Sequence, residues 1–313
     1  MHGLIYIMDN SPEGVPSSLL TQTKKLLRKF GLRARKGLGQ HFLIDADVLH
    51  TIVDTAGLTP EDIVIEVGPG LGIMTDELAA RAGWVIAIEL DTNLATMLQT
   101  SLKHDNVVIL NENILGLEPG SLFTSRPPAI PAELTSYKVV ANLPYYITSP
   151  VLRHFLEASV RPESMVVMIQ KEVAQTICAG PGKRSLMSIA VQVYGKPEIV
   201  TTVPPEAFFP VPAVASAVVR IDVYPEPVVD IGDGEAFFRL VKAGFSAPRK
   251  QLHNSLVKGL CLPGENVKRL LDRAEIDPTR RAGTLELEEW ARLLRILNDK
   301  EMDWLHADTE NTR

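Results

Sequence analysis

The run Ile63-Val64-Ile65-Glu66-Val67-Gly68-Pro69-Gly70-Leu71-Gly72 constrains this chain more than any other stretch. A short apolar, β-branched segment enters a turn with glycine at every second position, and a helical pattern follows. Glycine takes backbone conformations closed to other residues and lets a ligand approach the main chain closely. The pattern therefore predicts a ligand beside the carboxyl end of a strand. Glu89, in Ile88-Glu89-Leu90-Asp91, ends the next apolar run, where a carboxylate can accept from both hydroxyls of a ribose. A tight strand-to-helix turn followed by a surface acid is the plainer alternative.

Similar apolar runs recur with helical patterns between them. Strands are expected at Ile63–Val67, Val85–Ile88, Val107–Leu110, Lys138–Ala141 and Val166–Gln170, and helices at Val48–Ala56, Thr75–Ala82, Thr92–Leu102 and Pro150–Ala158. Alternating elements with nearly continuous apolar strands predict a parallel sheet covered on both faces. Ala190–Thr202 and Ser216–Val223 read as a β-hairpin at the sheet edge. After Pro225 and Pro227 the patterns turn helical, at Glu235–Phe245, Arg249–Lys258, Glu265–Ala274 and Glu286–Leu297. The expected domains are a basic extension over 1–36, an α/β domain over 37–224, and a helical domain with an acidic tail over 225–313.

The 313 residues suffice for such a division. No apolar run is long enough for a membrane span, and the start lacks the order of a secretory signal. Cys178 and Cys261 supply neither a disulfide framework nor a zinc knuckle. A cytoplasmic protein without metal or membrane partner is expected by default. The net charge of −6 speaks against a polyanionic partner until its distribution is considered. Gly14–Ile44 has no acid but contains Lys24, Lys25, Arg28, Lys29, Arg33, Arg35 and Lys36, and Ala236–Gly264 is likewise acid-free, with Arg249 and Lys250 among its cations. Asp45–Asp91, by contrast, holds ten carboxylates against Arg81. Two basic segments flanking an acidic body suit phosphate contacts at defined places, although each alone reads as a solvated helix face.

The glycine spacing separates two cofactor classes. A dinucleotide site shows Gly-x-Gly-x-x-Gly, whereas Gly68, Gly70 and Gly72 follow Gly-x-Gly-x-Gly after Glu66. The latter resembles the first motif of class I methyltransferases, which bind S-adenosylmethionine. Asn113, just past the third strand, offers an acceptor for the cofactor's adenine amino group. At the end of the fourth strand stands Asn142-Leu143-Pro144-Tyr145. An aromatic amine is a poor nucleophile because its lone pair is delocalised. Acceptors for its protons, here the Asn142 side-chain oxygen and the Leu143 carbonyl, favour the pyramidal nitrogen that attacks a methyl group. Pro144 stiffens the turn and Tyr145 offers a ring for an extruded base. Phe208, in Phe208-Phe209-Pro210-Val211-Pro212, offers a second ring, although paired phenylalanines more often pack in a core.

Together these motifs resemble the bacterial small-subunit (16S) ribosomal RNA adenine N6,N6-dimethyltransferases, the kasugamycin-sensitivity enzymes, from about Thr23 to Leu297. Further matching segments are Gly39-Gln40-His41-Phe42-Leu43, Phe208-x-Pro210-x-Pro212-x-Val214-x-Ser216, Arg249-Lys250 and Arg280-Arg281-Ala282-Gly283-Thr284. The resemblance implies a doubly wound, mostly parallel seven-stranded Rossmann-like sheet with a small C-terminal helical domain. It also implies that Gln40, His41, Leu43, Gly68, Gly70, Glu89, Asn113 and Asn142 contact S-adenosylmethionine. Asn142, Leu143, Pro144 and Tyr145 would hold the adenine with Phe208 opposite, and Arg35, Lys36, Arg249 and Lys250 would bind RNA. The implied reaction dimethylates two adjacent adenines in the 3′-terminal hairpin loop of 16S rRNA within the immature small subunit, carried out by a monomer. Three positions depart from the family: His41 replaces a common Asn, Asn113 a usual Asp, and Pro248 one of a basic pair. An erythromycin-resistance-type 23S rRNA methyltransferase and a non-catalytic assembly factor are the rival readings.

Overall fold

The computed structural model describes residues 18–35, 39–124 and 136–299. The chain divides into two compact units. The first takes the chain to Ala174 and again Lys196–Pro225; the second takes Gln175–Gly195 and the chain from Glu226. A single division near residue 224 therefore misses an excursion, because Gln175–Gly195 clusters with the helical unit. The basic segment is not a separate extension either. Its helix Leu19–Lys29 buries Leu26 and Leu27 in a first-unit cluster with Phe42, Leu71, Leu94 and Leu98.

The first unit is built on seven strands: β1 (Ile63–Val67), β2 (Trp84–Ile88), β3 (Val107–Leu110), β4 (Lys138–Asn142), β5 (Ser164–Gln170), β6 (Gly195–Val203) and β7 (Ser216–Val223), in the order β3-β2-β1-β4-β5-β7-β6. β1 to β5 pair in parallel, and β7 runs antiparallel to β5. The strand order reverses between β1 and β4, and an open α/β sheet binds its ligands in the crevice outside the strand ends at such a reversal. Val67 and Ala141 lie opposite each other there, so the glycine turn and the Asn142 tetrapeptide emerge side by side.

Period-two alternation explains why the strands read as continuously apolar. Val64, Val85, Val140, Val166 and Val218 bury one face against helices Ala46–Ala56 and Ile73–Ala79. The intervening Ile65, Ile86, Val139 and Val167 are equally buried, as expected for central strands covered on both faces. The helix expected at Thr75–Ala82 starts earlier, at Ile73, because Gly72 caps it directly in a left-handed conformation.

One predicted strand is corrected. Ala190–Thr202 divides into a helix, Leu186–Gln192, and the strand β6. Ser185 and Ser188 form a reciprocal capping box that nucleates the helix, and a short apolar run does not itself distinguish a buried helix from a strand. Arg249 and Lys250 precede their helix, which spans Leu252–Leu260.

The second unit packs helices Gly234–Gly244, Leu252–Leu260, Gly264–Arg273 and Leu287–Leu297 around Trp290, which is fully buried and stacked on Phe245 at 6.0 Å. Arg280 is not a free cation on this unit. It pairs with Glu289, whose carboxylate also accepts from the Glu286 N–H at the start of the last helix. The first two helices approach so closely that a Cβ on Gly259 would lie 2.4 Å from Ala243 Cα. Backbone cannot retreat as a side-chain tip can. Gly259→Ala should therefore lower stability by about 1–3 kcal/mol, measured by denaturant unfolding; an unchanged midpoint would disprove this packing constraint.

Candidate active site

A cavity of about 240 Å³ opens at the strand-order reversal. Every residue expected to bind cofactor or act on the base lines it: Gln40, His41, Leu43, Gly68, Gly70, Glu89, Asn113, Asn142, Leu143, Pro144, Tyr145 and Phe208. Residues as far apart as Gln40 and Phe208 meet because β1, β2, β3 and β4 end on the same side and Phe42–Leu43 pairs with Phe208–Phe209.

The turn is shaped by its glycines. Gly68, Gly70 and Gly72 all have positive φ, and a Cβ on Gly70 would approach the Phe42 ring to 3.3 Å. Glu89 holds the turn in place. Its two carboxylate oxygens accept from Gly70 N–H at 3.1 Å and Asp91 N–H at 2.8 Å. Burial raises the Glu89 pKa, while these two backbone bonds oppose the shift. Each oxygen retains lone-pair capacity for a further donor. Asn113 is exposed at the cavity edge, and its Oδ1 accepts from Leu115 N–H at 3.1 Å.

The tetrapeptide is equally constrained. Asn142 Nδ2 donates to the His41 carbonyl at 3.1 Å, which turns its Oδ1 to the acceptor role. The Tyr145 hydroxyl bonds Ser216 Oγ at 2.9 Å, and its ring stacks on that of His41 at 5.9 Å with 22° between planes. Phe208 is almost wholly buried, at 1% exposure, because Phe208–Phe209 pairs antiparallel with Phe42–Leu43. Its ring is part of the cavity floor rather than an exposed wall.

The expected RNA contacts fall on both units. Arg35 pairs with the buried Asp91 at 3.3 Å, yet remains 54% exposed. Lys36 lies outside the described residues. Arg249 and Lys250 are exposed on the second unit. Lys24, on the first, sits over the Phe209 ring at 5.5 Å.

Glu66 was legible as part of a motif but not as a site group. It lines the cavity, is fully buried, and neither carboxylate oxygen has a hydrogen-bond partner. The available signal was an acid inside an otherwise apolar strand. Desolvation, helped by the nearby Glu89 charge and opposed by Thr75, pushes its pKa up to about 8. Leu90 and Leu115, exposed apolar side chains beside Glu89 and Asn113, also line the cavity and carried no sequence signal.

A doubly wound sheet with an antiparallel β7, a Gly-x-Gly-x-Gly turn and an acidic second-strand tip defines a class I methyltransferase. The chain belongs to the ribosomal RNA adenine dimethylase family, whose model matches residues 31–299, and is accordingly an rRNA adenine dimethyltransferase. It is 48% identical to ribosomal RNA small subunit methyltransferase A of Dehalococcoides mccartyi, covering 91% of this chain and 96% of that protein. The same-named protein of Alkaliphilus metalliredigens is 44% identical over 88% of this chain and 96% of its own length. Among solved structures, the 23S rRNA methyltransferase ErmE is 29% identical, with TM-score 0.62 over 82% of this chain and all of that one. A dimethyladenosine transferase from Plasmodium falciparum, 22% identical, shares the fold, with TM-score 0.68 over 82% of this chain and 98% of its own.

The Glu66 shift carries a stability prediction. An unfolded glutamate titrates near 4.5, so between about pH 4.5 and 8 the folded protein keeps a proton that the unfolded chain has released. Stability from this group is thus greatest below that window and falls as pH rises through it, by on the order of a few kcal/mol. Glu66→Gln should flatten the melting temperature between about pH 5 and 8 and gain most over wild type at the upper end. An identical slope in both proteins would contradict it.

Proposed function

We propose that this chain dimethylates N6 of two adjacent adenines in the 3′-terminal hairpin loop of 16S rRNA, acting on the immature small subunit in the cytoplasm with S-adenosylmethionine as donor. The small-subunit name borne by relatives at 48% and 44% identity supports the substrate. The observation that carries the chemistry is the fixed Asn142 amide. With Nδ2 committed to the His41 carbonyl, its oxygen is oriented to accept a proton of an exocyclic amine.

The residues fit the cofactor. Glu89 suits a ribose diol, Asn113 suits an adenine amino group, and Leu90 and Leu115 offer apolar flanks for a planar ring. Glu66 brings a buried, unpartnered carboxylate to the glycine turn, where an α-ammonium would complete it. S-adenosylmethionine, when bound, supplies a methyl group activated on a sulfonium. The chain's own residues then orient the nucleophile. Asn142 Oδ1 and the Leu143 carbonyl accept from the N6 protons and draw the nitrogen lone pair out of conjugation. Pro144 holds the turn, Tyr145 supports the base, and the Phe208 floor excludes water. The alkylated nitrogen is acidic enough to shed its proton without a strong base. Orientation and fixed dipoles therefore account for the catalysis. Exposed Arg35, Arg249 and Lys250 suit phosphate contacts, with Lys36 next to Arg35 in sequence, and looped bases are the ones a protein can splay out.

Methyl transfer from labelled cofactor to immature small subunits, followed by mapping, tests the proposal. Label is expected on two neighbouring adenines of the 3′-terminal hairpin; label confined to large-subunit RNA would favour the resistance-type reading, and none at all the assembly-factor reading. Asn142→Ala should reduce transfer by at least about 100-fold with RNA affinity nearly unchanged, and a parallel loss of RNA binding would mark Asn142 as structural. Asn113→Asp should tighten cofactor binding by restoring a charge, and calorimetry showing no gain would refute that role.

A further inference from the structure

We propose that His41 is a positioning residue for the target base rather than a ligand of the cofactor, an inference that rests on the methyl-transfer reading above. Three of its groups engage the base-holding elements. Its carbonyl accepts from Asn142 Nδ2 at 3.1 Å. Its ring stacks on Tyr145 at 5.9 Å. Its Nδ1 lies 2.7 Å from the carbonyl oxygen of Pro210, in the loop that leads from Phe208 to Ser216. Ser216 in turn holds the Tyr145 hydroxyl. The tetrapeptide and the loop are thus joined directly by the hydrogen bond between Tyr145 and Ser216 and indirectly through His41, whose carbonyl holds Asn142 and whose ring nitrogen holds Pro210, with the His41 and Tyr145 rings lying against each other.

The hydrogen bond to Pro210 fixes the tautomer. A carbonyl oxygen can only accept, so the proton resides on Nδ1. In the neutral ring Nε2 is then an acceptor, with no proton to offer a cofactor carboxylate. The family's common Asn can reproduce a donor at this position but cannot stack on a tyrosine. His41 joins both functions in one side chain: the donor anchors the loop, and the ring sets the plane of Tyr145, on which the base rests.

The distinguishing measurement separates cofactor affinity from transfer rate. With the full chain at about pH 8, S-adenosylmethionine affinity is measured by calorimetry, and transfer to immature small subunits is measured in a single turnover at saturating cofactor. Three variants are compared with wild type: His41→Asn keeps a donor without the ring, His41→Phe keeps the ring without the donor, and His41→Ala keeps neither. All should bind cofactor within about threefold of wild type. Transfer should fall about 10-fold for Asn and Phe and about 100-fold for Ala, the scale expected for a misplaced reacting group. A cofactor dissociation constant raised tenfold or more, with transfer at saturation unchanged, would overturn the proposal, as would variants altering neither quantity. If the Ala variant fails to fold, Asn and Phe still decide between these outcomes. Imidazole ¹⁵N resonances of the RNA-free protein give a readout independent of the substrate. A proton on Nδ1 and none on Nε2 is expected, and the opposite tautomer would sink the inference. Absence of label with wild-type protein would instead count against the methyl-transfer reading on which this inference rests.

Discussion

The site depends first on Glu89 clamping the glycine turn. β1 and β2 end side by side, and the carboxylate at the tip of β2 reaches back to the Gly70 N–H while also accepting from Asp91. A turn with three glycines in the left-handed region is entropically costly to order, and this clamp gives it one conformation. The next helix then begins at once, capped by Gly72, and the cavity acquires a fixed wall. A free carboxylate in the same place would bind a diol only after losing its own rotamer freedom. Here the backbone has already fixed it.

The opposite wall is made by a different device. Asn142 and Tyr145 lie at the end of a buried strand, but the partners that orient them come from segments with little regular structure of their own. Gly39–Leu43 and Phe208–Ser216 meet through the short pairing of Phe42–Leu43 with Phe208–Phe209. The pairing buries Phe208 and brings the His41 carbonyl and the Ser216 hydroxyl to the tetrapeptide. Hydrogen bonds of this sort are individually worth only about 1 kcal/mol, but each removes an alternative orientation of a group that must accept from the substrate. Their contribution is to geometry more than to stability.

Electrostatics divides the molecule in a matching way. The acids concentrated between Asp45 and Asp91 include Glu66 and Glu89, both lining the cavity, and Asp91, buried next to Glu89 and donating its N–H to it. Burial raises the pKa of both Glu66 and Glu89, with the Glu89 charge adding to the Glu66 shift, and the two acids make a cavity suited to a cation. Exposed cations lie elsewhere, on the helix Leu19–Lys29 and around Arg249. A net charge of −6 is thus compatible with an RNA substrate because the negative charge is partly spent inside.

Periodicity and glycine spacing were enough to determine the sheet, its parallel character and the order in which ligand-facing residues leave it. These are local properties, and a strand buried on both faces has only one kind of sequence. That residues at strand ends and in punctuated turns share one cavity was legible for the same reason. What the tertiary structure decided concerns groups whose neighbours are distant in the chain. The excursion Gln175–Gly195 reads as a strand in part but joins the helical unit, because a capping box and burial against helices outweigh its apolar run. Arg35 reads as a phosphate ligand; the structure adds an ion pair with Asp91 and leaves the side chain exposed. Phe208 reads either as a second ring for the base or as core; an antiparallel partner more than 160 positions away buries it. Glu66 shows in the sequence only as an acid among apolar residues; that its pKa is pushed well above the ordinary range follows from a burial that no local pattern specifies.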